Sequence, residues 1–191
     1  MIRPSFTTFN EAWATRVLGN VSKRGIDGYL GIRVTEAGPG RLVAEMPVTR
    51  EIITVMGNMH GGCLSALCDH VLGMVMYPVM PDGSWAATTE FKINLLAPVT
   101  TGTCTAAAEI ISMSKRLAVV RIEVENEGRL VAAAQGTCTI VAPIASSSVG
   151  TPSSDARVAG SLESSTRMGC RSTFSRSAGS TRWIGVRTAC G

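Results

Sequence analysis

Residues 58–77 read NMHGGCLSALCDHVLGMVMY and contain the longest helical pattern of the chain. From Gly61 onward, apolar residues recur at the three- and four-residue spacing of an amphipathic helix, and Pro78 ends the pattern. The apolar stripe consists of Leu64, Leu67, Cys68, Val71, Leu72 and Val75. This spacing predicts a long, largely buried helix over residues 61–77.

The segments on either side of this helix have the pattern of strands joined by short turns. A short helix is predicted over residues 10–19 and ends at Gly19. Strands are predicted over residues 30–35, 41–48, 85–96, 103–113, 117–125 and 130–141. The first two form a hairpin across the turn at residues 38–40. This order predicts an α+β fold, in which an antiparallel sheet packs on one principal helix.

Polar and apolar residues alternate in two of the predicted strands, so each strand has one polar or interface-facing side. In the strand at residues 117–125, Val120, Ile122 and Val124 lie opposite Arg121, Glu123 and Glu125. In the strand at residues 85–96, strict alternation places Thr89, Phe91, Ile93 and Leu95 opposite Thr88, Glu90, Lys92 and Asn94.

Composition divides the 191 residues into a folded domain, residues 1–142, and a tail, residues 143–191. The tail is rich in Ser, Gly and Arg and has no apolar periodicity, so we expect it to be disordered. Its 6 Arg and 2 acidic residues account for the net charge of +4, because residues 1–142 hold 12 basic and 12 acidic residues. A neutral domain gives no electrostatic reason to expect a nucleic acid partner.

The six cysteines form no C-x-x-C pair, and with only His60 and His70 available no zinc-ligand spacing occurs. We therefore expect reduced thiols, no metal site and no cofactor. The longest apolar run, residues 71–80, is too short to span a bilayer, and the N-terminus lacks the apolar stretch of a signal peptide. The expected location is the cytoplasm, without a membrane partner.

The segment His60-Gly61-Gly62 and the later Asp69 suggest chemistry at a carbonyl group. Backbone N–H groups at a helix start have no partner within the helix, so they can stabilise a developing oxyanion. Asp69 interrupts an apolar helix, where an unpaired buried carboxylate costs several kcal/mol. Two structural roles compete with this interpretation: an interface ion pair for Asp69, and capping or packing for His60.

These residues, together with residues 87–98 (ATTEFKINLLAP), resemble the PaaI-type acyl-CoA thioesterases of the hotdog superfamily. The resemblance extends over about residues 10–141. It implies a hotdog fold, with the antiparallel sheet wrapped around the long helix. It also implies hydrolysis of an acyl-CoA to a free acid and CoA, with CoA as part of the substrate. Homodimers paired edge to edge, often assembled into tetramers, would form the active sites at the dimer interface.

The resemblance assigns roles by position. Gly61 offers its N–H to the thioester carbonyl, and His60 helps to shape this oxyanion site. Asp69 is the general base or nucleophile, and Thr88 corresponds to a hydroxyl residue that orients the attacking water.

One family position departs from the pattern. Many members have an Asn six residues before the histidine, whereas this chain has Thr54 there, and Asn58 follows four residues later. Either residue could serve in its place. The resemblance also places the CoA nucleotide near a turn that contains Lys115 and Arg116, although a solvated hairpin turn explains these cations equally well.

Two other functions compete with thioester hydrolysis. A hotdog enoyl-CoA hydratase would use an Asp and a His together, but His70 points about 100° away from Asp69 around the helix. A non-catalytic acyl-CoA-binding or regulatory module would keep the fold without turnover. Met74, Met76 and Met80 suit a medium or long fatty acyl chain, which would indicate fatty acid metabolism, but core packing explains the same residues.

Overall fold

The computed structural model describes residues 4–20 and 24–142. The predicted disorder of residues 143–191 lies outside this part of the chain. Its helices are α1 (Glu11–Val17), α2 (Gly25–Leu30) and α3 (Gly61–Met74), with one 3₁₀ turn at Arg50–Ile52. Its strands are β1 (Arg33–Gly38), β2 (Arg41–Pro47), β3 (Trp85–Leu95), β4 (Thr103–Met113), β5 (Leu117–Asn126) and β6 (Arg129–Val141).

The six strands form one antiparallel sheet in the order β1-β2-β4-β5-β6-β3. Helix α3 packs against this sheet, because its apolar stripe and the inward side chains of the strands bury each other. The buried residues of α3 are Leu64, Leu67, Cys68, Val71 and Leu72. The predicted α+β architecture is therefore confirmed, with β1 and β3 at the two edges of the sheet.

The predicted first strand began too early, since residues 25–30 form the helix α2. Gly31 ends α2 with φ +66, and its N–H caps the carbonyl oxygens of Asp27 and Gly28. Strand β1 consequently starts only at Arg33. A helix of six residues is too short to produce a recognisable apolar period.

Helix α3 ends at Met74, three residues before the predicted end. The next residues form tighter turns, in which the Met76 N–H donates to the Gly73 carbonyl ahead of Pro78. Met76 and Met80 are buried in the core of the single chain, 0% and 3% exposed. For these two methionines core packing is the observed role, and only Met74 is left as a candidate for contact with an acyl chain.

The alternation predicted for β3 is wrong at its centre, because a β-bulge lies between Thr88 and Glu90. Thr89 lies on the outer face, where its hydroxyl is 2.8 Å from the hydroxyl of Thr139. Thr88 instead pairs with Cys138, whose thiol faces α3 and donates to the Leu72 carbonyl at 3.5 Å. The extra residue thus turns Thr88 to the helix-facing side, together with Phe91, Ile93 and Leu95. In β5 the alternation is confirmed, with Val120, Ile122 and Val124 fully buried.

Candidate functional site

Helix α3 starts with a backbone donor that has no acceptor in the described part of the chain. His60 is the N-cap, and its Nδ1 accepts a hydrogen bond from the Gly62 N–H at 2.9 Å. The Cys63 N–H donates to the His60 carbonyl, also at 2.9 Å. The Gly61 N–H donates to no acceptor within residues 4–20 and 24–142. One N–H of the helix start, at its positive end, is therefore available to a carbonyl oxygen.

The capping bond of His60 defines the state of its imidazole. Because Nδ1 accepts a hydrogen bond, it carries no proton, so the proton of a neutral ring is on Nε2. The capping role considered for His60 is thus observed. His60 is an exposed residue, and its Nε2 takes no part in the capping bond.

A cavity of about 280 Å³ adjoins this helix start. Its lining residues include Asn58, Gly61, Leu64, Leu95, Leu96 and Val99. Asn58 is fixed within its loop by Thr54, whose N–H donates to the Asn58 carbonyl at 2.8 Å. The side chains of the two residues also meet, with Thr54 Oγ1 3.4 Å from Asn58 Oδ1. Asn58 itself lines the cavity, which favours it as the replacement for the expected Asn.

Asp69 lies two helical turns beyond Gly61 and is exposed in the single chain. The burial cost expected from the sequence is therefore absent here. Eight residues of α-helix separate the two positions by about 12 Å. The helix start and the carboxylate of one chain are therefore too far apart to act on the same atom.

Thr88 lies beside Cys138, on the side of the sheet that faces α3. Thr88 and Asp69 both act on the Cys138 thiol, whose pKa is raised chiefly by burial. A hydrogen bond with the Thr88 side chain opposes this rise in the pKa, and the negative charge of Asp69 adds to it. The bulge in β3 thus brings the Thr88 hydroxyl to the side of the sheet on which Asp69 lies.

Lys115 and Arg116 occupy the exposed turn between β4 and β5. Ser114 orders this turn, because its hydroxyl oxygen accepts from the N–H groups of Arg116 at 3.3 Å and Leu117 at 3.1 Å. Across the sheet, Leu117 pairs with Thr139, which pairs with Ala87. The turn therefore lies at the end of the sheet nearer to Thr88, and its contact with CoA stays a prediction.

His70 has a structural partner that the sequence did not predict. Its Nδ1 lies 3.2 Å from Oδ1 of Asp27, which connects α3 to α2. The spacing alone gave no signal for this pair, because α2 was not predicted. Because His70 pairs with Asp27, it does not form with Asp69 the Asp and His pair that a hydratase would use.

The described residues contain neither a cluster of metal-binding side chains nor a helix that could span a membrane. Within the described residues, no group of three or more His, Cys, Asp or Glu side chains is placed to hold a metal ion. Over residues 4–20 and 24–142, no helix is both long enough and apolar enough to cross a bilayer.

The buried thiol of Cys104 makes the free energy of unfolding depend on pH. Burial raises the pKa of Cys104 from 9.0 to about 11, so the folded state keeps this thiol protonated. As the pH rises, the Cys104 thiol loses its proton in the unfolded chain before it does so in the folded chain. The contribution of this thiol to the free energy of unfolding is therefore complete below pH 9 and is lost as the pH rises towards 11.

We expect the stability advantage of the wild type over Cys104→Ala to narrow across this range. Urea unfolding of both proteins at pH 8, 9, 10 and 11 measures it. The comparison with the variant removes the contributions of Tyr and Lys residues that titrate in the same range. A difference that stays constant to pH 11 would contradict the prediction.

The chain is similar in sequence to known thioesterases and esterases. Residues 56–133 match the model of the Thioesterase superfamily. A relative from Saccharolobus solfataricus that bears an esterase name is 31% identical over 114 residues, which cover 59% of this chain and 81% of the relative. Human acyl-coenzyme A thioesterase 13 is 26% identical over 118 residues, which cover 60% of this chain and 84% of that protein.

Among solved structures, the chain is similar to the Escherichia coli PaaI protein from the phenylacetic acid degradation operon. The TM-score is 0.56 at 26% identity, and the match covers 60% of this chain and 83% of that one. Together with the six-stranded sheet on α3, this likeness confirms the expected hotdog fold.

Proposed function

The chain belongs to the thioesterase superfamily, and from this premise we propose that it hydrolyses an acyl-CoA to a free carboxylic acid and CoA. The proposal is supported by two groups on one helix, a Gly61 N–H that has no acceptor among the described residues and an exposed Asp69 carboxylate. A thioester needs little more than these two groups, because the thiolate is a good leaving group. A polarised carbonyl and a positioned carboxylate suffice.

The proposed reaction begins with the thioester carbonyl oxygen accepting a hydrogen bond from the Gly61 N–H, beside the Nε2–H of His60. Asp69 then removes a proton from a water molecule held by the Thr88 hydroxyl, and the water oxygen bonds to the carbonyl carbon. Negative charge develops on the carbonyl oxygen, where the two donors stabilise it. Collapse of the intermediate breaks the carbon–sulfur bond, releasing the acid and the CoA thiolate. Direct attack by the Asp69 carboxylate, followed by hydrolysis of the anhydride, uses the same groups.

This reaction requires two copies of the chain. Groups that act on one carbonyl must come within about 3.5 Å of it, whereas Gly61 and Asp69 of one chain are about 12 Å apart. We propose that Gly61 of one protomer faces Asp69 of its partner, which gives two equivalent sites in a symmetric dimer.

The edge strand β3 is the proposed dimer contact. It has 11 residues, lies at the sheet edge and carries the exposed side chains of Trp85 and Leu95, 53% and 54% exposed. A long edge strand with exposed apolar residues favours pairing with another strand. Association of two such dimers into a tetramer is a further proposal.

The acyl group is proposed to be a medium or long fatty acyl chain, held by the leucine-lined cavity beside Gly61. Lys115 and Arg116 are proposed to contact the phosphates of CoA.

Purified protein tests the function with a panel of short-, medium-, long-chain and phenylacetyl-CoA esters, measured by release of free thiol. We expect turnover that is highest for the medium or long acyl chains. Thermal stabilisation by acyl-CoA without thiol release would instead identify the non-catalytic binding module, the alternative suggested by Thr54 at the expected Asn position.

A further inference from the structure

The bulge in β3 is fixed on the outer face of the sheet by side-chain hydrogen bonds. Thr137 Oγ1, on β6, donates to Glu90 Oε1 at 2.6 Å. Thr89 and Thr139 form a second contact between their hydroxyl groups at 2.8 Å. Glu90 and Thr89 are consecutive residues on the same face, which a regular strand does not allow. The hydrogen bond between Thr137 and Glu90 therefore keeps Glu90, one of the two consecutive outward residues of the bulge, on the outer face.

Gly136 allows the bulge from the neighbouring strand. A Cβ at this position would lie 2.8 Å from the Glu90 carbonyl oxygen and 2.5 Å from Phe91 Cβ. It would also lie 2.8 Å from Leu72 Cδ2 on α3. The main chain of β3 can thus approach β6 and α3 at Glu90 only because residue 136 has no side chain.

The direction of Thr88 depends on this arrangement. In a regular strand, residues two apart share a face, so an outward Glu90 would place Thr88 outward as well. The extra residue of the bulge reverses this relation, and Thr88 faces inward beside Cys138 while Glu90 is bonded to Thr137 outside.

We propose that Glu90 and Thr137 are positioning residues that hold Thr88 towards the reacting water through the β3 bulge. Their hydrogen bond lies on the face of the sheet opposite α3, so both residues are proposed to act through Thr88 and not on the substrate itself. The proposal rests on the proposed function, in which Thr88 orients that water.

Thr137→Val removes the hydroxyl and keeps the shape of the side chain. We expect kcat to fall about tenfold with KM within twofold, because misaligned reacting groups slow the chemical step more than binding. Thr137→Ser restores the donor and is expected to restore kcat. Thr105→Val, on the outer face of β4 and away from the bulge, is the matched control and should leave kcat unchanged.

A double-mutant cycle tests whether Thr137 acts through Thr88. In the Thr88→Val background, Thr137→Val should produce no further loss, since the residue that it positions is already disabled. Equal losses in both backgrounds, or an unchanged kcat in the single variant, would overturn the proposal.

Crystal structures of the wild type and Thr137→Val separate this proposal from the proposed function. We expect the bulge to be lost or shifted in the variant, with Thr88 turned away from Asp69. A bulge that persists unchanged overturns the positioning role whether or not the wild type hydrolyses acyl-CoA. Absence of thiol release by the wild type overturns the proposed function and the reacting water with it, whereas a bulge that is lost in the variant would still show that Thr137 sets the direction of Thr88.

Discussion

Asp69→Asn is expected to lower kcat for acyl-CoA hydrolysis by about 10³-fold, because the amide is neither a base nor a nucleophile at neutral pH. Folding should be unaffected, since the Asp69 side chain is exposed in the single chain. For the single chain, a substitution at an exposed position of this kind changes the free energy of unfolding by about 0.5 kcal/mol or less, and the similar size of Asn leaves the packing of the proposed dimer contact unchanged. Thiol release at saturating acyl-CoA measures the loss, and urea unfolding verifies the matched stability.

Glu125→Gln provides the control for Asp69→Asn. It makes the same change from carboxylate to amide and removes the same charge. Glu125 is exposed on β5, on the face opposite the buried Val124. We expect wild-type kcat for this control. If Asp69→Asn retained more than about a tenth of the wild-type kcat, Asp69 would not be the base or nucleophile.

The sequence predicts the central elements of the fold well. Helix α3 begins at Gly61 as predicted, and β4 has the predicted bounds, Thr103–Met113. The helix has a strong apolar period, which its packing on the sheet requires, and β4 lies between two stretches of turn-forming residues, 98–102 and 114–116. Helix α2 was missed because its end depends on the positive φ of Gly31, a backbone property without a periodic signal.

The bulge shows where alternation fails at the candidate site. Counting by two along β3 places Thr88 on the face away from Asp69, whereas the family resemblance places it in the active site. The structure agrees with the resemblance on this point. The extra residue of the bulge reverses the face of the sheet on which the preceding residues of β3 lie, and Thr88 is one of them. Gly136, inside the predicted strand at residues 130–141, was the available signal, since a glycine inside a strand often marks a bulge.

The environment of Asp69 was beyond prediction for a different reason. An acidic residue within an apolar helix indicates burial, yet the carboxylate is exposed in a single chain. A second copy packed over this face would supply the missing surroundings. The sequence of one chain identifies the residue but not the surface that covers it.

Gly61→Pro isolates the contribution of the helix start. Proline removes the N–H that has no acceptor within the described residues, and the first helical position tolerates proline well. The preceding His60, with φ −64 and ψ 128, already has a conformation that proline permits. We expect kcat to fall by about 10² to 10³-fold, the effect of removing one oxyanion donor.

Gly61→Ala is the matched control for this variant. It retains the N–H and adds the same Cβ, which meets the flexible end of Leu95 at 2.5 Å. A large loss of kcat in the alanine variant would assign the effect to Leu95 and the cavity, not to the N–H.

Mixing the two inactive variants then tests whether each site contains residues of two protomers. In a dimer of one Asp69→Asn chain and one Gly61→Pro chain, one site receives both substitutions and the other receives neither. Random refolding of an equal mixture makes half of the dimers mixed, so we expect about one quarter of the wild-type activity to return. Thiol release before and after joint unfolding and refolding measures this gain. If Gly61 and Asp69 of the same chain served one site, every site would contain a defect, and the mixture would stay as inactive as its components.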